Sequence, residues 1–151
     1  MSDPCEAFKE EWLPKLSSQA RIAIEHGQIG ALKGTHCDVA DGFVSMLGLK
    51  PIGFNWELLD AAGDAGEPRS AFDQIVEALS HDIANPSRPW LPSGEAQRCA
   101  RAFIELFEPS VITIVSNRYD GLWNPIAGAA NEWGFVAYDA QRIALFLIAE
   151  R

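Results

Sequence analysis

An α+β domain is the fold class this sequence predicts, with N-terminal helices packed on a small C-terminal antiparallel sheet of about three to four strands. Three observations carry that prediction. Apolar residues recur at helical spacing through the first two thirds of the chain. Beyond Pro109 the runs become β-branched and apolar, separated by turn residues. Finally, 151 residues at 48% apolar, with eight Phe, five Trp and two Tyr, suit one core and would crowd two. Residues 1–151 are therefore read as one domain.

Asp3-Pro4-Cys5-Glu6 announces the first helix: an N-cap acceptor, proline at the first helical position, then glutamate at the third. Phe8 and Trp12 share its face, and Pro14 is expected to end or kink it. A second helical piece is expected from Ser18 towards His26, stopped by Gly27. Asp38 is expected to cap a helix through Leu47, with Val39, Ala40, Phe43, Val44 and Leu47 inward and Gly48 just past its end. Lys50–Phe54 reads as a short strand, and Asn55 as the cap of one or two turns over Trp56–Ala62.

The clearest helix spans Ser70–Ala84, where Phe72, Ile75, Val76, Leu79 and Ile83 keep helical spacing. Pro86, Pro89 and Pro92 then stiffen a connector. Ser93 caps the next helix, which buries Ala96, Cys99, Ala100, Phe103 and Phe107 and stops before Pro109. Ser110–Val115, Gly134–Asp139 and Ile143–Ile148 read as strands, the last two forming an antiparallel hairpin around Asp139–Arg142. Ile143–Ile148 is so apolar that both its faces need cover. Helices can supply it, or a second copy of the chain in a homodimer through the edge of the C-terminal sheet.

Charge is unevenly distributed. Nine of the 21 acidic residues lie between His36 and Ser87, offset only by Lys50 and Arg69, while the flanking segments nearly balance. A net charge of −9 without any Lys/Arg cluster argues against nucleic acid or an anionic membrane as partner. No apolar run reaches the roughly 18–20 residues that span a bilayer. Met-Ser-Asp-Pro-Cys-Glu lacks the basic and apolar regions of a secretory signal. Three cysteines without close pairing suit a reducing compartment, so a cytoplasmic location is expected.

The segment richest in binding groups is the loop 116–125, Ser-Asn-Arg-Tyr-Asp-Gly-Leu-Trp-Asn-Pro. Asn117, Arg118, Tyr119, Asp120, Trp123 and Asn124 stand there at the end of a predicted strand. Arg118 could fork onto a carboxylate or phosphate while Tyr119 and Trp123 offer flat contact area. The plainer reading pairs Arg118 with Asp120 and puts Trp123 in the core. His36-Cys37-Asp38 with Asp41 lacks the second His/Cys pair of a zinc site, and both aspartates read as helix N-terminal acids. A Cys37–His81 nucleophile pair has no local signature. The glycines fit neither phosphate-binding fingerprint. No catalytic residue, metal or cofactor is expected.

The leading functional expectation is a small acidic protein-binding module that meets a basic partner protein. Asp60, Asp64, Glu67, Asp73 and Glu77 are the expected charge contributors, with Trp56 as an exposed aromatic anchor. Inhibitors of the immunity or antitoxin kind, which block basic toxins in bacteria, have this physical profile. The alternative is a small-molecule sensor or enzyme built on the loop 116–125.

Overall fold

The computed structural model describes residues 3–61, 69–119 and 122–151. The chain runs Pro4–Leu16 (α1), Arg21–Gln28 (β1), His36–Met46 (α2), a 3-10 turn at Gly53–Asn55 and Glu57–Leu59 (β2). It continues through Ala71–Ser80 (α3), Ser93–Ile104 (α4), Thr113–Ser116 (β3), Arg118–Tyr119 (β4), Leu122–Trp123 (β5), Glu132–Tyr138 (β6) and Arg142–Ala149 (β7). Five strands form one sheet in the order β1-β7-β6-β3-β2, each antiparallel to its neighbours, and β4 with β5 makes a separate small hairpin. The α+β class stands; the sheet is larger than expected.

Alternation along β7 explains the layering. Ala144, Phe146 and Ile148 point to one face, where they meet Phe8 and Trp12 of α1, Ile75 and Leu79 of α3, and Phe103 of α4. Ile143, Leu145 and Leu147 point to the other, under Val39, Ala40, Phe43 and Val44 of α2. The sheet is thus sandwiched by three helices on one side and one on the other. Phe8, Phe103 and Phe146 meet at the centre of the larger core, with ring centroids 5.4–5.7 Å apart.

This arrangement answers the cover problem posed by Ile143–Ile148: the chain's own helices supply it. β7 is an interior strand between β1 and β6, so it offers no edge for a homodimer, and the sheet ends at β1 and β2 instead.

The expected helix at Ser18–His26 is a strand. Ala20, Ile22 and Ile24 all reach the larger core, a period of two, while Arg21–Gln28 pairs along its full length with β7. Of the turn expected over Trp56–Ala62, Ala62 lies outside the described residues, and Glu57–Leu59 forms β2 rather than a helical turn, because Glu57, Leu58 and Leu59 pair with Ser116, Val115 and Ile114. Lys50–Phe54, expected as a strand, leads instead into the 3-10 turn.

Helix ends differ too. Thr35, not Asp38, caps α2; Asp38 sits three residues on and closes a capping box with it. The helix expected over Ser70–Ala84 stops at Ser80 because the proline-rich connector folds back. Trp90 N and Leu91 N donate to the carbonyls of Ser80 and Leu79, and Asp82 N donates to that of Arg88. Pro92 rather than Ser93 occupies the cap of α4, and α1 continues through Pro14 to Leu16.

Asp139 fixes the β6–β7 turn. Its Oδ1 accepts from Gln141 and Arg142, and its Oδ2 from Glu108. Burial pushes this carboxyl up, but the N–H groups of Arg142, Glu108 and Gln141 outweigh it, so the value lies below the usual carboxylate range. Asp139→Ala is expected to cost about 1–2 kcal/mol in denaturant unfolding. A depressed folded-state value gives stability that is present above the unfolded value and lost as pH falls through the folded one. The gap between wild type and variant should therefore narrow in acid.

Candidate functional site: a groove beside the small hairpin

Two segments far apart in sequence build a groove at the β2 end of the sheet. The first wall is held by Asp41 on α2. Its carboxylate accepts from the backbone N–H groups of Ile52 and Gly53 and from Trp56 Nε1, each at 2.8 Å. Gly53 has φ +65°, a left-handed conformation that suits glycine at this turn. With the backbone so fixed, Trp56 turns inward and Phe54 turns out.

Asn117, fully buried, is the root of the other wall. Its Oδ1 accepts from Gly134 N at 2.8 Å, and its Nδ2 donates to the Asn124 carbonyl at 3.1 Å. Asn124 N in turn donates to the Asn117 carbonyl, which closes the neck of the β4–β5 hairpin. Arg118 braces the hairpin from behind. Its guanidinium lies 4.7 Å from the Trp123 ring and 4.4 Å from the Trp133 ring, and its Nε donates to the Glu132 carbonyl at 3.1 Å. Ser116 Oγ accepts from Trp133 Nε1 and from Arg118 N.

Glu132 secures the loop that follows. Wholly buried, it accepts from Ala127 N at both carboxylate oxygens, and burial pushes its value up against the pull of the N–H groups of Ala127, Ala129 and Ile126. Lys50 N, donating to the Ile126 carbonyl, ties this loop back to the first wall.

Between the walls lies a cavity of about 330 Å³. Trp56, Asn55 and Asn124 line it, and Phe54, Glu57, Tyr119 and Leu122 complete its walls. Phe54 is 91% exposed, Leu122 74% and Tyr119 58%. Isolated exposed apolar side chains are ordinary; three lining one concavity on a firmly bonded frame are not.

The structure sorts the residues predicted from sequence. Trp56 was expected as an exposed anchor, but it is 3% exposed and its indole N–H is bound to Asp41, so it is floor rather than anchor. Tyr119 and Asn124 reach the same groove, joining the two predicted sets. Asn117 is a buried support, and Trp123 a brace for Arg118. Asp60 and Glu77 are exposed, and Asp73 is half-buried on α3. Asp64, Glu67 and Asp120 lie outside the described residues. Phe54 and Leu122 were not singled out from sequence. The turn-forming Pro51-Ile-Gly-Phe-Asn was the available signal, since a bulky aromatic set among turn residues has little room to bury.

Arg118 faces a far smaller space than the groove. The cleft it shares with Glu77, His81 and Trp133 holds about 50 Å³, against about 300–1,000 Å³ for ordinary ligand sites. Burial lowers its pKa, with Glu77 and then Glu132 opposing. Cys37 and His81 do not meet: Cys37 packs in the α2 core with its Sγ 3.9 Å from the Trp56 carbonyl, while His81 caps α3 across the sheet. Asp38 and Asp41 are occupied by backbone and indole donors rather than gathered with His36 and Cys37 around a common point.

Asp38, Asp41 and Asp82 accept hydrogen bonds from N–H groups. Glu57 differs: it is paired with Arg69 at 3.0 Å. Among the described residues no helix is long and apolar enough to cross a membrane. No protein-family model, curated protein or solved structure matches the chain.

Proposed function

We propose that this chain is a protein-binding module whose docking face is the groove between Gly53–Leu59 and the β4–β5 hairpin, and that its partner is a basic protein. The observation that carries the reading is the exposure of Phe54, Tyr119 and Leu122 around one concavity. Anchors of this kind yield most of their energy at the centre of an interface, where a partner side chain excludes water. The frame beneath them is already satisfied in hydrogen bonds, so little ordering is needed on binding.

Charge selects the partner. Phe54 and Glu57 belong to the third of the chain that holds nine acids and two bases. A basic surface is drawn to that field from a distance, and apolar contact then holds it. Asp60 and Glu77, with Asp64 and Glu67 of the same segment, are the steering charges in this account. A cytoplasmic inhibitor of the immunity or antitoxin kind needs this combination of rigidity, negative charge and a firm apolar grip, and no active site.

The test uses immobilised chain in extract of its native host, with quantitative recovery of bound proteins at low and high salt. A basic protein is expected to be retained by wild type and Val111→Asp, and lost with Phe54→Asp/Leu122→Asp. Val111 is an exposed apolar control outside the groove. Retention unaffected by the groove variant, or dependent on Val111 instead, would overturn the proposal.

A further inference from the structure

A second cluster stands apart from the groove, where the first turn of α1 meets β1. Asp3, Cys5 and His26 bring a carboxylate oxygen, a thiol sulfur and a ring nitrogen together, all within 4.8 Å of one another. Asp3 and Cys5 stand at the start of α1 and His26 on β1, with 20 residues between Cys5 and His26, so the fold and not local sequence creates the juxtaposition. From these donors we infer that Asp3, Cys5 and His26 form a binding site for a divalent ion of the zinc class, which staples the start of α1 to β1.

Donor chemistry sets the ion. One sulfur and one imidazole nitrogen favour zinc over magnesium or calcium, which take oxygen ligands. A tetrahedral zinc ion holds N, O and S donors about 3.5 Å apart, given bonds of about 2.0–2.3 Å. Donors no further apart than 4.8 Å reach that spacing by small side-chain rotations.

Glu6 supplies what such sites require around them. Its Oε2 lies 2.7 Å from His26 Nε2 and so orients the ring; in the tautomer that donates from Nε2, the Nδ1 lone pair is open to an ion. A carboxylate–histidine pair of this form is the usual support behind a ligating imidazole. Glu6 is thereby diverted from the capping-box role its position implied.

The charges around the cluster favour a cation on balance. Asp3, Glu6 and Asp139 oppose Arg142 and the positive end of α1. Binding must also release the Cys5 thiol proton, so affinity should rise with pH.

Cobalt(II) added to the full-length chain is the direct probe, because thiolate ligation gives an intense near-ultraviolet charge-transfer band. One equivalent of band is expected in wild type, displaced by zinc, with a zinc-dependent rise in Tm. Cys5→Ser is expected to abolish the band and His26→Gln to weaken cobalt binding at least tenfold. Cys37→Ser retains both signals. Glu6→Gln should weaken binding by about 10–100-fold while keeping the band, which marks it as a positioning residue. Because the Tm readout is the change on adding zinc, a variant that is merely less stable still reports. No band in folded wild type, or a band that survives Cys5→Ser, would overturn the assignment.

Discussion

Phe54→Ala combined with Leu122→Ala is expected to weaken partner binding by about 100-fold or more, at roughly 1.5–2 kcal/mol for each truncation. Both side chains stand mostly in water in the free chain, at 91% and 74% exposure, so removing them leaves the fold nearly untouched. The stability change should stay within about ±0.5 kcal/mol. Calorimetric titration against the captured partner, with a parallel thermal melt, separates the two effects. The loss should appear in the dissociation rate, since apolar contact governs how long the complex lasts. Charge reversal at Asp60 or Glu77 should act differently, slowing association and flattening its salt dependence.

Asp41→Ala carries the largest expected effect on stability among the residues that shape the groove. One carboxylate serves three donors, Ile52 N, Gly53 N and Trp56 Nε1, and alanine offers none of them a partner. Water can reach the exposed Gly53, but Trp56 is buried and its N–H would be stranded. A cost of about 2–3 kcal/mol follows from losing charge-assisted bonds to partly buried groups. For a chain of this length that corresponds to a fall in Tm of roughly 4–12 °C. Asp41→Asn keeps one acceptor oxygen and should lose less. If alanine costs no more than asparagine, the carboxylate is not the clamp described above. The alanine variant should also lose partner binding out of proportion to its stability, because Phe54 is held outward by the turn that Asp41 fixes.

Sequence reading succeeded where the deciding contacts are local. α3 and α4 announce themselves by apolar spacing, and the β6–β7 hairpin by its turn and its unbroken apolar strands. It failed where pairing with a distant strand decides. Ala20 and Ile24 fit a helix as well as a strand, and only β7, more than a hundred residues on, settles the matter. β2 is three residues long and exists because β3 lies beside it.

The site followed the same logic. The loop 116–125 was recognisable as dense in binding groups, yet nothing local said that Asn117 would face inward and Tyr119 outward. Trp56 was misread because its exposure depends on Asp41, fifteen residues away, turning its indole inward. Phe54 stayed hidden for the complementary reason: its exposure is what remains once Asp41 has claimed the backbone N–H groups of Ile52 and Gly53 before it and the Trp56 indole after it.

Amide hydrogen exchange on the free chain and on its complex with the captured partner addresses the docking face itself. Protection on binding is expected over residues 53–59 and 119–124, with the outer surfaces of α1 and α4 unchanged. Protection centred on α1, α4 or the free edge of β1, with the groove exchanging as before, would contradict the assignment of this face.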